Sequence, residues 1–343
     1  MSSIAPARAG TKKSVEPSER LSAEKCLQIY DLMLRARLLE ERLITMYKQG
    51  DGFFWIGGPG EEAFNVPLGL LVDKGAGLDH DFLHLHYRSS GTLLAMGADP
   101  VDSIRQMKNT ITDPYSKGRN FAGHFSVRRW NVVPVTSPIG IQFSIAIGTA
   151  RAQRKGSGAK GVTIVQGGDA GTAEGDFATA LVWSSRKGAE LPLLMIVTNN
   201  RWGISTSYEG QHGYEQIAER GKAFGMPTAI VDGNDPEASY AAIQRALEYV
   251  RAEKKPYLLE AMVSRLRGHS SASGANFVKN EPDCLELFEQ RLESRSLLTR
   301  AQMDQLRTQY TQELAEASKR VRHEQEPAPE NIHDYVFAPA GDK

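Results

Sequence analysis

The chain has 343 residues, 41% of them apolar and 24% charged, the composition of an ordinary globular protein with enough length to bury a large core. Lys plus Arg and Asp plus Glu each number 41, so the formal net charge is zero. That balance excludes a global basic field for nucleic acid or an anionic membrane, and it favours association. Cys26 and Cys284 are the two cysteines, with neither a C-x-x-C motif nor metal-ligand spacing, which points to a reducing compartment. No apolar run reaches the roughly 20 residues needed to cross a bilayer. Residues 1–21 are small, polar and Pro-containing, lack a secretory h-region and read as a disordered tail. A cytoplasmic location is expected, or the mitochondrial matrix in a eukaryote.

From Ser22 to Gln49 the pattern is helical, with Ser22 as the cap and Lys25 leaving the capping box incomplete. Leu27, Tyr30, Leu34, Leu38 and Ile44 mark its apolar stripe. Residues 51–60 are Gly-rich and aromatic and read as a loop entering a helix near Glu61. Residues 112–136 read mostly as loop. A regular alternation then begins. Strands are expected at Val162–Gln166, Leu193–Thr198, Thr228–Val231 and Tyr257–Val263. Helices are expected at Glu174–Lys187 and Pro236–Glu253, and a charged surface helix at Thr299–Glu324. Short apolar strands alternating with helices predict a doubly wound parallel α/β sheet with helical extensions at both ends. One domain over 22–330 is expected, followed by a tail at 331–343.

The chemistry is concentrated in Gly167–Thr206. Asp169 falls at the carboxyl end of one strand, and Asn199-Asn200 at the carboxyl end of the next. In a parallel sheet those ends lie side by side, where ligands bind. A carboxylate and a carboxamide are hard oxygen ligands suited to Mg²⁺ or Ca²⁺. Gly167, Gly168 and Gly171 let backbone approach an anion, and the following helix offers its amino terminus to phosphate. A Rossmann turn would need glycine where Asp169 stands, and a Walker loop would need G-K-[ST], which is missing. A Gly-rich turn with solvent-facing polar residues remains the plain structural alternative.

Gly168-Asp169-Ala170 followed by Asn199-Asn200 resembles the signature of the thiamine-diphosphate enzymes, Gly-Asp-Gly and then Asn-Asn about thirty residues on. Ala170 replaces the last glycine of the triplet, as occurs in the dehydrogenase branch. The resemblance runs over roughly residues 25–330 and is closest to alpha subunits of branched-chain 2-oxo acid dehydrogenases. It implies that Asp169, the Asn200 side chain and the Trp202 carbonyl hold Mg²⁺. Tyr87-Arg88 matches the family's Tyr-Arg pair, with Arg88 on the diphosphate. Gly60-Glu61-Glu62-Ala63 matches a Gly-Glu-Glu motif near the cofactor. In the turn Ser137-Pro138-Ile139-Gly140-Ile141-Gln142, Ser137 and Ile139 would contact thiamine diphosphate, with Ile139 beneath the bent cofactor. The family's K⁺-binding Thr is Ile141 here, a hydrocarbon that cannot coordinate K⁺. His269 matches the family's Gly-His-Ser loop, where it would bind the diphosphate and help position acyl transfer. Ser270 stands where mitochondrial relatives are phosphorylated, while SGANFVKNEPDC departs from the usual continuation.

His124 matches a position near the active-site entrance, and Phe54, Trp55 and His86 are expected to border the substrate. His84 and His212 read equally as surface or core. With Gly168, Ala170 and Gly171, these residues complete the implied site. Thiamine chemistry also needs a glutamate from a second, pyrimidine-binding domain, for which this chain has no room. The resemblance therefore implies a beta subunit in an α2β2 assembly. It also implies decarboxylation of a 2-oxo acid and transfer of the acyl group to a lipoyl acyltransferase component. Pyruvate or acetoin as substrate, or a silent scaffold that only binds the cofactor, are the alternatives.

Overall fold

Residues 20–156, 158–334 and 336 are described by the computed structural model. The tail expected at 1–21 therefore lies almost wholly outside the described residues, as does most of 331–343. Helix α1 (Ala23–Lys48) begins where expected, and Ser22 Oγ accepts the Lys25 N–H at 3.2 Å. Its buried face is wider than the predicted stripe. Cys26, Ile29, Met33, Leu39 and Leu43 are buried along with Tyr30 and Leu34, whereas Leu27 is half-buried. The cause is that α1 is packed from several sides, by α2 (Glu62–Leu71), α3 (Ser90–Ala95), α4 (Pro100–Lys108), α9 (Cys284–Ser294) and α10 (Arg300–Val321). A helix so enclosed needs more than a single stripe of apolar positions.

The central sheet holds β1 (Phe82–His84), β2 (Thr163–Gly168), β3 (Leu193–Asn199), β6 (Thr228–Asp232) and β7 (Tyr257–Met262) in the order β1-β2-β3-β7-β6, every pairing parallel. This is the expected sheet, with β1 as an additional edge strand. Alternate residues face opposite ways. Ile164, Leu194, Ile196 and Leu259 pack under α2 and α8 (Pro236–Glu253). Val165, Leu193, Met195 and Val197 pack under α5 (Ile141–Lys155) and α6 (Gly175–Ser184). Helix α8 spans the predicted residues. Asp235 accepts from the Glu237 and Ala238 N–H groups, Pro236 fills the first turn, and Lys254 closes the end in the left-handed region. Such a cap contributes about 1 kcal/mol. Helix α6 is shorter than expected at both ends, with Glu174 extended as the N-cap and Ser185 as the C-cap after Ser184.

Register sets where the connecting loops emerge. Gly168 pairs with Thr198, and Asn199 with Met262, so the carboxyl ends of β2, β3 and β7 finish nearly in line. The segments after β1, β2, β3 and β7 leave the sheet at one edge. They carry His86-Tyr87-Arg88, Asp169-Ala170-Gly171, Asn200-Arg201-Trp202 and Arg265 to His269 in turn. After β3 the chain makes a small hairpin, β4 (Trp202–Gly203) with β5 (Thr206–Ser207), and then α7 (Glu219–Lys222).

Candidate active site

A cavity of about 510 Å³ opens at that edge. Tyr87, Arg88, Ser137, Ile139, Gly168, Asp169, Ala170, Gly171, Trp202 and His269 all line it. These residues come from five separate stretches of chain, and the fold brings them together. Asn200 lies just beneath the lining, 3% exposed. Phe54, His86 and His124 also line the wall, as does Ile56, which the sequence did not single out. Trp55 does not line it. Its ring is fully buried and its indole N–H donates to Glu40 Oε2 at 2.8 Å, so its expected place beside the substrate is corrected to one in the core. His84 points away from the cavity to Thr149 Oγ1 at 2.9 Å. His212 stacks on Tyr208, with centroids 4.6 Å apart.

The floor carries unsatisfied polar atoms. Asp169 Oδ2 and Asn200 Nδ2 are buried without hydrogen-bond partners, as is Arg88 Nε in the cavity wall. Native interiors seldom leave such groups unpaired, and their gathering at one cavity marks a place for a polar ligand. Asn200 Oδ1 accepts the Trp202 N–H at 3.1 Å and keeps a second lone pair for a cation. Among the described residues, no cluster of three or more His, Cys, Asp or Glu could hold a metal. A hard cation held by one carboxylate, one amide oxygen and one backbone carbonyl must complete its shell from water and a bound anion. The residues present thus fit a metal-bridged diphosphate. Close packing supports the fit, since a Cβ on Gly171 would meet Ile139 Cγ2 at 2.9 Å.

Electrostatics follows burial. Arg88 is 5% exposed and pairs with Glu61 Oε1 at 3.0 Å, while its Nη2 lies 3.4 Å from His269 Nδ1. Its backbone carbonyl accepts from Asn65 Nδ2 at 3.1 Å, and Gln166 ties Asn65 to Ser89. Burial raises the Asp169 pKa against the pull of Arg88. Burial also lowers His269 to about 4, with Arg88 and Arg265 adding to the shift, so its ring is neutral at physiological pH. His86 is lowered by burial and then by Arg88. His124 Nε2 lies 2.6 Å from Ser137 Oγ, so the histidine at the entrance fixes the hydroxyl of the Ser-Pro turn.

The family description "Dehydrogenase E1 component" matches residues 30–330. The chain belongs to the dehydrogenase E1 component family. This E1 chain is similar to the 2-oxoisovalerate dehydrogenase subunit alpha of Bacillus subtilis, 29% identical over 328 residues, which are 93% of this chain and 97% of the relative. It is 27% identical over 334 residues to the mitochondrial 2-oxoisovalerate dehydrogenase subunit alpha of Bos taurus, covering 94% of this chain and 71% of that one. With the mitochondrial subunit of Dictyostelium discoideum it shares 30% identity over 268 residues, 78% of this chain and 59% of that one. Within the described residues of this E1 chain, no helix is long and apolar enough to cross a membrane.

Sequence reasoning missed Arg265 and the hairpin residue Ile204. Arg265 donates to the Ile204 carbonyl at 3.0 Å and lies over the Trp202 ring, 5.5 Å from its centroid. Its place between the last strand and the Gly-His-Ser loop was the available signal.

Proposed function

We propose that the chain is the alpha subunit of the decarboxylating component of a 2-oxo acid dehydrogenase complex. In this reading it binds thiamine diphosphate through Mg²⁺, acts on a branched-chain 2-oxo acid and passes the acyl group to a lipoyl group. The observation that carries the reading is the meeting of Asp169 and Asn199-Asn200 on neighbouring strand ends, beneath a cavity rimmed by Arg88 and His269. The names of the relatives support the branched-chain substrate.

Thiamine diphosphate, when bound, supplies the electron sink for decarboxylation, which no side chain provides. The chain's own residues bind and orient. Asp169, the Asn200 amide oxygen and the Trp202 carbonyl would hold Mg²⁺. Arg88 would neutralise diphosphate charge, with Glu61 keeping its guanidinium in place. Tyr87, Ser137, Ile139, Gly168, Ala170 and Gly171 would form the walls. His269, neutral beside Arg88, offers a ring N–H to an oxygen without bringing a second full charge. Ile139, Ile141, Ile145, Trp202 and Ile204 are large apolar side chains left exposed beside the cavity and along α5. Such a surface fits a protein partner, and we assign it to a beta subunit that completes the cleft in an α2β2 particle.

The test is a substrate panel on the co-expressed alpha and beta chains with a lipoylated acceptor domain. Branched 2-oxo acids should give kcat/KM at least about tenfold above pyruvate or acetoin, a margin that a few extra methyl contacts can supply. A preference for pyruvate or acetoin would overturn the substrate assignment. Absence of lipoyl-dependent turnover with every substrate would overturn the function.

A further inference from the structure

We propose that Glu40 is a positioning residue for the cavity, one buried carboxylate that ties together the loop bearing Phe54 and Ile56, the turn bearing Arg88 and the loop bearing His269. Glu40 sits in the middle of α1, is 3% exposed and does not line the cavity. Its Oε2 accepts the indole N–H of Trp55 at 2.8 Å, and its Oε1 accepts Ser90 Oγ–H at 2.6 Å. Gly57 lies so close that a Cβ there would stand 2.0 Å from Glu40 Oε2. The Trp55 and Gly57 contacts lead to the loop bearing Phe54 and Ile56, and the Ser90 contact leads to the turn bearing Arg88.

Trp55 is the centre of the first connection. The flanking residues Phe54 and Ile56 face the cavity, while Trp55 faces the core. Its backbone N–H donates to Ser271 Oγ at 3.1 Å, and its carbonyl accepts the Ser271 N–H at 2.8 Å. Ile56 forms a bridge with Ser270. The segment that holds His269 is therefore laid against the segment that Glu40 anchors. Ser90 is the second connection, for it opens α3 two residues after Arg88. Gly58 abuts the backbone of Arg88, where a Cβ would meet its carbonyl oxygen at 2.8 Å. Two chain segments far apart in sequence thus converge on one side chain with two acceptor atoms, and the His269 segment joins them through Trp55 and Ile56. Burial of such a group is costly unless both atoms are satisfied. That cost makes the arrangement specific rather than a general contribution to packing.

The consequence for cofactor binding rests on the function proposed above; the mechanical role does not. The experiment uses the assembled alpha and beta chains with Glu40→Ala, Glu40→Gln and Trp55→Phe. Hydrogen exchange is read by mass spectrometry, and thiamine diphosphate affinity in Mg²⁺ by calorimetry. Glu40→Ala and Trp55→Phe should speed exchange in residues 51–60 and 268–274 while α8 and α10 keep wild-type rates. Both should weaken cofactor binding about tenfold, the scale of one lost hydrogen bond to a charged group. Glu40→Gln keeps an acceptor for the indole and can donate to Ser90, so it should restore most of both properties. Unchanged exchange at 268–274 in Glu40→Ala would overturn the proposal. Acceleration spread evenly over the chain, or a Gln variant as damaged as the Ala variant, would also overturn it. A wrong functional reading looks different: the wild type would bind no thiamine diphosphate while the local exchange pattern stayed as described.

Discussion

Asp169 has a buried oxygen without a partner, and burial raises its pKa. A group held in that state costs stability, so its removal should not unfold the protein. Asp169→Ala is expected to abolish Mg²⁺-dependent thiamine diphosphate binding by calorimetry, with Tm equal to or above wild type. Unchanged cofactor affinity would remove Asp169 from the site. His269→Ala should lower lipoyl acylation at least about tenfold, and a change within about twofold, roughly 0.4 kcal/mol of barrier, would make the ring incidental.

Titration gives a second handle on single residues. Burial lifts Glu40 from 4.5 to about 7, with Glu62 adding to the shift and the bonds from Ser90 and Trp55 opposing it. The folded state then holds a proton that the unfolded chain releases. The stabilisation is complete below pH 4.5 and is lost as pH rises through about 7. His84 and His269 run the other way. Burial lowers both from 6.5 to about 4, so the stability they allow above pH 6.5 is lost as pH falls. The opposing shifts overlap in one window. Glu40→Gln removes one of them, so stability should fall more steeply on acidification than in wild type, by on the order of 1–3 kcal/mol. Denaturant melts at neutral and mildly acidic pH would show it, and equal slopes would refute it. Asp169, Asn200, Arg88 and His269 were legible in sequence because each stands in a motif of fixed spacing. Trp55 was misread because its neighbours face the cavity in an extended segment, where side chains alternate. Reading Phe54 as a wall residue should have turned Trp55 the other way.

The three longest helices, α1, α8 and α10, were found from the sequence. Helix α8, with a cap, a proline and about five turns, was legible to the residue. Strand β1 was not, since its three residues at the sheet edge carry no alternation, although it delivers Tyr87 and Arg88. Helix α5 was hidden because Ile141 and Ile145 are apolar and exposed, which blurs the contrast between faces. The β4–β5 hairpin was hidden because its tip is strained. Ile204 is in the left-handed region at φ 58° and is 58% exposed, while Arg265 holds its carbonyl. A β-branched residue there costs roughly 1–3 kcal/mol. Ile204→Gly should therefore raise Tm by roughly 1–3 °C. It should also weaken cofactor binding, because the neighbouring Trp202 carbonyl loses its fixed aim. A glycine variant with lower Tm would show that the Ile side chain stabilises the hairpin.

For the whole molecule, the parallel architecture was legible from alternating strands and helices, while the strand order and the edge strand required the structure. In the proposed function the cavity would anchor a diphosphate and a beta subunit would supply the rest of the cleft. Purified chain alone should show no 2-oxo acid decarboxylation with saturating thiamine diphosphate and Mg²⁺. Adding the beta chain should restore turnover and give an α2β2 mass by light scattering. Robust turnover by chain free of beta subunit would place the activating carboxylate within these residues.

Arg37 on α1 donates to both oxygens of Glu62, at 2.6 and 3.0 Å, and to both oxygens of Asp283, at 2.7 and 3.0 Å. Asp283 caps α9 and lies 246 residues further along the chain. Helix α1 thus meets the half-buried counter-charge Asp283 only after the intervening 246 residues have been made. At ribosomal speeds of roughly 5–20 residues per second, that interval is on the order of 10–50 seconds. Throughout it, the nascent chain presents the α1 surface destined for α9 and α10 with nothing of its own to cover it. A molecular chaperone that shields apolar helices would have a long opportunity at α1, whose partners α9 and α10 lie far along the chain.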